Sequence, residues 1–270
     1  MQQEYEDQEI PEAEARQSNA KEDRHFVTAL ARGLDVLSCF RSGEKTLGNQ
    51  ELAERTKLPK STISRLTYTL TKLGYLEYDD HIGKYRLGTA SLALGSAMLS
   101  KLDIRQHARP YMQELADFSR ATVSLGMRDR LSMIYIENCR SEAALTLRLD
   151  VGARIPIAQT AMGRAYLAET TPAERNDILE RVRELDEIKW PPVRDGVMRA
   201  LDEYSTLGCC TSFGDWQPDV NAIAVAFRPA NGSAILSINC GGPAFNLSPE
   251  FLLGEVKPRL LSIASRLQRG

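Results

Sequence analysis

Residues 59–73, Pro-Lys-Ser-Thr-Ile-Ser-Arg-Leu-Thr-Tyr-Thr-Leu-Thr-Lys-Leu, restrict the fold more than any other stretch of this chain. Ile63, Leu66, Leu70 and Leu73 recur at helical spacing, which predicts one apolar stripe on a helix of about 3.6 residues per turn. The remaining surface carries Lys60, Ser61, Thr62, Ser64, Arg65, Tyr68, Thr69 and Lys72, with no acid among them. A solvated helix face ordinarily mixes both charge signs. Cations, hydroxyls and one aromatic ring suit phosphate oxygens and base edges.

The neighbouring sequence gives this helix a setting. Phe26, Leu30, Leu34, Leu37 and Phe40 keep helical spacing, with Arg32 and Asp35 off that stripe. A short second helix is expected over about Gln50 to Thr56, burying Leu52 and Ala53, and Thr56-Lys57-Leu58 then forms a turn. Pro59 fits the first position of the third helix, where a missing N–H costs nothing. Two helices joined by a three- or four-residue turn make a helix-turn-helix. Gly74 suits the helix end. Tyr75–Tyr78 and Lys84–Leu87 then read as a hairpin, with Lys84 and Arg86 on one side. Helices plus a basic hairpin predict a winged helix-turn-helix, in which the wing lies along phosphates or enters a minor groove. Arg32, Lys60, Ser61, Thr62, Ser64, Arg65, Tyr68, Thr69, Lys84 and Arg86 are the candidate DNA contacts, with Arg65 able to take guanine bidentately. Thr89–Lys101 is a helix apolar over more than half its circumference, so a partner subunit is expected to cover it.

Net charge conceals this basic module. The 270-residue chain carries −2 overall, but residues 1–23 hold eight acids against Arg16 and Lys21. Residues 24–105 hold thirteen Lys or Arg and eight Asp or Glu. Such a local excess matters more for nucleic-acid binding than the whole-chain balance. The acidic segment 1–23 reads as a disordered, solvating tail. No apolar run reaches membrane-helix length, and the first residues lack a signal-peptide pattern, so a cytoplasmic protein with no membrane partner is expected. The five cysteines form no CxxC pair, and His25, His81 and His107 have no metal-ligand spacing. No cofactor or metal is expected, and no GxSxG elbow, GxGxxG or phosphate loop occurs.

Beyond Asp103 the character changes. An amphipathic helix over Ile104–Phe118 contains Pro110, and strand-like runs follow at 122–127, 131–138 and 144–149. Helices are expected over 160–168, 172–185 and 194–207. Further strands are expected at 209–213, 222–227 and 234–239, and a last helix from Pro249 to about Leu267, interrupted at Pro258. Two groups of three strands suggest an α+β domain, an antiparallel sheet flanked by helices. The domains are read as 24–88 for DNA binding, 89–102 as a linker and dimerisation helix, and 103–270 as a second, α+β domain.

Leu-Ala-Glu-Arg-Thr-Lys-Leu-Pro-Lys-Ser-Thr-Ile-Ser-Arg-Leu (52–66), Leu-Gly-Tyr-Leu (73–76) and Lys-Tyr-Arg-Leu-Gly (84–88) resemble the DNA-binding domain of IclR-type bacterial transcriptional regulators. Val-Gly-Ala-Arg-Ile-Pro-Ile (151–157) and Thr-Ala-Met-Gly-Arg-Ala-Tyr-Leu-Ala (160–168) are similar to that family's effector-domain signature. The resemblance implies a winged helix, a linker helix that pairs subunits, a GAF-like effector domain, and a homodimer or dimer of dimers. It also implies double-stranded operator DNA and a small-molecule effector, often a carboxylate or aromatic compound. Carried over by position, the effector contacts are Thr160, Ala161, Met162 and Gly163 with Ser212, Ala222, Ser237 and Asn239, with Leu147 and Ile155 as an apolar wall. Asp215, at an acidic position where the family usually has Glu, is counted with these effector contacts. Asp219 replaces a common Gly, and Ala226 a frequent Pro.

Two features keep two meanings at this level. The small residues at 160–163 serve either a ligand or close packing of a helix on the sheet. Ser237 and Asn239 need partners if buried, and a ligand, water or backbone can supply them. The leading function is a ligand-responsive DNA-binding regulator. The alternatives are a constitutive DNA-binding oligomer, and an enzyme with an appended DNA-binding module, for which no catalytic constellation is visible.

Overall fold

The computed structural model describes residues 25–41, 44–142, 149–230, 232 and 234–269. The acidic tail, Leu147 and most of the strand expected at 144–149 lie outside these residues, and Leu149 itself is not in a strand. The chain forms two compact units, meeting in sequence between Ser100 and Lys101.

In the first unit, α1 (Thr28–Ser38), α2 (Asn49–Thr56) and α3 (Lys60–Lys72) precede a hairpin of β1 (Leu76–Asp79) and β2 (Lys84–Leu87), and α4 (Thr89–Leu99) follows. The α2 start is held by the Gly48 N–H, which donates to the Glu51 carboxylate at 2.7 Å. Lys57 ends α2 in the left-handed conformation, at φ 56°. Pro59 remains extended (φ −59°, ψ 143°), so α3 begins one residue later than expected, at Lys60. Val36, Leu47, Leu52, Leu58, Ile63, Leu70 and Leu76 make the core, each contributing roughly 2 kcal/mol by leaving water. Gly74, at φ 75°, lets the chain reverse at the end of α3, and the Tyr75 N–H reaches back to Leu70 O at 2.9 Å.

Two expected apolar stripes are corrected here. On α1 the buried residues are Gly33 and Val36, while Phe26, Leu30 and Leu34 are exposed. This helix carries apolar residues on two sides, and the side that meets α3 is the one whose glycine permits close approach. On α3, Leu73 is exposed and Thr67 is fully buried. Burial of Thr67 is tolerated because its hydroxyl donates to Ile63 O at 3.0 Å.

The second unit is built on a six-stranded, wholly antiparallel sheet in the order β5-β4-β3-β8-β7-β6. Its strands are β3 (Thr122–Asp129), β4 (Ser132–Arg140), β5 (Arg154–Pro156), β6 (Cys210–Phe213), β7 (Val220–Phe227) and β8 (Leu236–Pro243). Its helices are α5 (Ile104–Ser119), α6 (Ala161–Glu169), α7 (Pro172–Leu185) and α8 (Trp190–Leu207). A short turn at Pro249–Phe251 and a π-helical turn at Leu252–Val256 then lead into α9 (Lys257–Arg269). The last helix is therefore interrupted before Pro258 rather than at it. A proline has no N–H to give the carbonyl four residues back, and the wider turn falls on those preceding residues. Helix α8 begins at Trp190, four residues earlier than expected, because two prolines at its start suit helical first positions.

Alternation divides the sheet into two faces. One meets α5, where the Cys240 thiol lies 3.5 Å from the Ser119 hydroxyl. The other meets α6, where the Ser237 hydroxyl donates to Met162 O at 3.0 Å. A bulge lies where Leu125 pairs with Glu137 and Gly126 with Tyr135, leaving Ile136 as the extra residue. That extra residue turns Tyr135 onto the α6 side together with Ser124 and Asn138.

Candidate functional site

The polar face of α3 survives folding largely free. Lys60, Ser61, Ser64, Arg65, Tyr68, Thr69 and Lys72 are exposed, and Thr62 is half-exposed. Ser64 and Thr69 donate their hydroxyls to the carbonyls of Lys60 (3.0 Å) and Arg65 (2.9 Å), and the Ser64 oxygen also accepts from Asn49 Nδ2 at 3.5 Å. The Lys72 ammonium sits 5.5 Å from the centre of the Tyr68 ring. The Lys60, Ser61 and Arg65 side chains engage no partner among the described residues.

The wing differs from its sequence reading. Lys84 pairs with Glu51 at 3.0 Å, and Arg86 pairs with Glu77 across the hairpin at 2.9 Å. Both cations are therefore compensated, and Lys84 ties the wing to the start of α2. Arg55 is likewise held, bidentately, by Glu44. That pair lowers the Glu44 carboxyl below its usual range, chiefly through the Arg55 hydrogen bond. Arg32 lies half-buried on α1 with its Nε unpartnered. Every residue of α4 is at least partly exposed, and Leu92, Leu94 and Met98 are strongly so.

In the second unit a small pocket lies between the start of α6 and the polar sheet face. Of the residues expected there, Ile155, Thr160, Ala161, Ser212, Ala222 and Asn239 line it. Met162, Gly163, Asp215 and Ser237 do not, and Leu147 lies outside the described residues. The lining residues absent from the sequence reading include Thr122, Ser124, Tyr135, Trp216 and Gly241. Thr122 and Ser124 had a signal, since polar residues alternate there with Val123 and Leu125 in an apolar strand.

Thr160 is the N-cap of α6. Its hydroxyl accepts from the Gly163 N–H at 3.2 Å and donates to Pro156 O at 2.7 Å, a cap worth about 1 kcal/mol. The backbone N–H groups of Ala161 and Met162 precede any intrahelical acceptor, and the helix dipole makes this end favourable to an anion. Gly163 is small for packing: a Cβ there would lie 2.0 Å from Ile157 O. The two polar residues of β8 divide. Ser237 satisfies itself on the Met162 and Val225 carbonyls, whereas Asn239 Oδ1 has no partner among the described residues. Thr122 Oγ1 is unpartnered as well. Tyr135 is buried against the Asn239 and Ser124 side chains, and burial pushes its phenol up to about 12.

Asp215 is engaged by Arg164, a buried guanidinium on α6. Arg164 also donates to Ala158 O at 3.1 Å and Thr211 O at 3.2 Å. It thereby fastens the loop carrying Trp216 to α6. All five cysteines are free thiols, and burial raises Cys139, Cys209 and Cys240 to about 11 and Cys210 further. Among the described residues no group of three or more His, Cys, Asp or Glu could hold a metal ion, and no helix is long and apolar enough to cross a membrane.

Residues 96–269 match the bacterial transcriptional regulator IclR C-terminal domain, and residues 29–80 match the IclR helix-turn-helix domain. The chain belongs to the IclR family of bacterial transcriptional regulators. It is 36% identical over 245 residues to the HTH-type transcriptional regulator TsaQ1/TsaQ2 of Comamonas testosteroni, covering 90% of this chain and 88% of that relative. An IclR family transcriptional regulator from Brucella abortus is similar at 48% identity and a TM-score of 0.81, with 91% of this chain and 93% of that chain covered. An IclR homologue from Microbacterium hydrocarbonoxydans, solved in complex with 4-hydroxybenzoate, shares the fold. It has a TM-score of 0.68 and 24% identity over 89% of this chain and 99% of that one. The α3 helix of this IclR-family chain falls within the matched helix-turn-helix segment, and the pocket falls within the matched C-terminal segment.

Proposed function

We propose that this IclR-family regulator reads operator DNA with the exposed face of α3, and that a small acid bound between α6 and the sheet sets its DNA affinity. The observation that carries the DNA-reading role is a contrast within the first unit. Arg55, Lys84 and Arg86 each engage an acid, while Lys60 and Arg65 on α3 engage none among the described residues. Charges held ready on a helix without acids suit phosphate and guanine. Arg65, Ser61, Thr62, Ser64, Tyr68 and Thr69 are the base-facing set. Lys60 is assigned to phosphate, and Arg32 to the backbone alongside α1.

The exposed apolar residues Phe26, just before α1, and Leu30 and Leu34 of α1, with Leu92, Leu94 and Met98 of α4, supply the surface for pairing of subunits into a dimer or dimer of dimers. A cytoplasmic regulator without catalytic activity fits this reading. In the effector pocket the acid's carboxylate would take the Ala161 N–H at the start of α6, and Trp216, Ile155 and Ala222 its apolar body.

Titrations of the protein on operator and scrambled DNA at several salt concentrations test the assignment. Arg65→Ala is expected to lose roughly 1–3 kcal/mol on operator and much less on scrambled DNA. Lys84→Ala should weaken both DNAs by a similar, smaller factor, because Lys84 positions the wing through Glu51. Equal losses on the two DNAs for Arg65→Ala would remove it from base reading.

A further inference from the structure

We propose that the acidic segment at residues 4–14 docks on the exposed face of α3 and competes there with DNA. The chain then carries its own competitor for the helix that reads DNA. This rests on α3 being the DNA-binding face, and adds a second occupant for it.

The two partners are opposite in charge, and neither is compensated within itself. Residues 4–14 hold six acids, Glu4, Glu6, Asp7, Glu9, Glu12 and Glu14, and no base. Glu22 and Asp23, nearer α1, are instead flanked by Lys21 and Arg24. On α3, Lys60, Arg65 and Lys72 are exposed, and the helix contains no acid. Lys60 and Arg65 engage no partner among the described residues, and Lys72 meets the Tyr68 ring. Arg55, Lys84 and Arg86 are already paired with acids, so an incoming carboxylate gains least there. An acidic chain on α3 meets the donors that a phosphate backbone would meet, with the Ser61 and Tyr68 hydroxyls among them.

The attachment point is close enough. Residues 15–24 join the acidic run to the described chain, and at full extension they span roughly 35 Å. Helix α1 begins at Thr28 and packs on α3 at Gly33, where a Cβ would lie 4.0 Å from Leu66 Cδ2. Gly33 lies about 8 Å along α1 from its start, and one helix diameter is about 10–12 Å. The exposed face of α3 is therefore within about 25 Å of the start of α1. Lys60 and Lys72 are about 18 Å apart along α3, a length that residues 4–14 can cover. A competitor joined this closely has an effective concentration on the order of millimolar. Exposed ion pairs are individually weak and screened by salt, so the segment lowers DNA affinity without abolishing it.

The test compares the full chain with a variant of equal length in which the six acids become amides: Glu4→Gln, Glu6→Gln, Asp7→Asn, Glu9→Gln, Glu12→Gln and Glu14→Gln. Both are titrated on a random-sequence DNA duplex, and their lysines are footprinted by acetylation without DNA. The amide variant should bind DNA about fivefold more tightly at about 50 mM salt, with the gap falling below twofold near 300 mM. Lys60 and Lys72 should acetylate at least threefold faster in the amide variant, with Lys101 of the second unit unchanged. Equal DNA affinity of the two chains at low salt overturns the proposal. Tighter DNA binding with no change at Lys60 and Lys72 also overturns it, since the acids then repel DNA without occupying α3. Arg65→Ala in the amide variant checks the reading beneath. Unchanged DNA affinity there removes α3 from DNA binding, and with it the competition, whereas slower acetylation of Lys60 in the parent chain would still establish the docking.

Discussion

Gly163→Ala should destabilise the second unit by about 3 kcal/mol or more. The added Cβ would lie 2.0 Å from Ile157 O and 2.5 Å from Ile157 C and Cα. These are backbone atoms just before α6, and they cannot turn aside as a flexible side chain can. Relief would require α6 to lift from the sheet, where Met162, Ala165 and Leu167 are fully buried. For a unit of this size the loss corresponds to a fall in Tm of roughly 6–12 °C. Gly254→Ala is the control. It lies in the same unit, and its Cβ would meet nothing within 4 Å. A melt in which both variants match the parent protein would show that α6 is not packed as closely as described.

The second large effect is expected at Arg164. Its side chain is 4% exposed and serves Ala158 O, Thr211 O and Asp215 at once. Arg164→Met keeps much of the volume but strands those acceptors. Removing one partner of a buried pair costs about 3–5 kcal/mol. Asp215, 30% exposed, can recover part of its hydration, so roughly 3 kcal/mol is expected. Ligand affinity should fall as well, because Arg164 secures the loop bearing Trp216. Gly196→Ala offers an independent approach from α8. Its Cβ would press on an Arg164 guanidinium nitrogen at 2.3 Å, and that nitrogen belongs to a group already held by its hydrogen bonds. Differential scanning calorimetry and a ligand titration on both variants measure these effects. Parent-like stability in Arg164→Met would show that the guanidinium is not a fastening.

The sequence made α3 legible because one residue class was missing from its surface, and a helical period is enough to show that. The buried side of α1 was not legible in the same way. Phe26, Leu30 and Leu34 compete with Val36, Leu37 and Phe40 for the core, and only packing against α3 decides between them. The charges of Lys84 and Arg86 were plain, but their neutralisation by Glu51 and Glu77 depends on pairing at a distance. In the pocket, strand alternation identified Ser237 and Asn239 as a pair. It could not show that Ser237 would be satisfied by backbone carbonyls and Asn239 left wanting. Tyr135 was hidden by the bulge at Ile136, which reverses the parity of its strand. Arg164 was hidden because a cation within an amphipathic pattern is normally solvated, and its carbonyl and carboxylate partners come from segments up to 51 residues away. Strand β5 has three residues, too few to display a period.

The central claim is that a ligand in the pocket of this IclR-family chain sets what α3 does on DNA. Binding free energies at two coupled sites must be reciprocal. The decisive measurement is therefore the full chain's affinity for operator DNA with and without a saturating pocket ligand, paired with ligand affinity with and without operator. A coupling of about fivefold or more is expected, equal in both directions. A ligand that saturates the pocket yet leaves operator affinity unchanged would contradict the account.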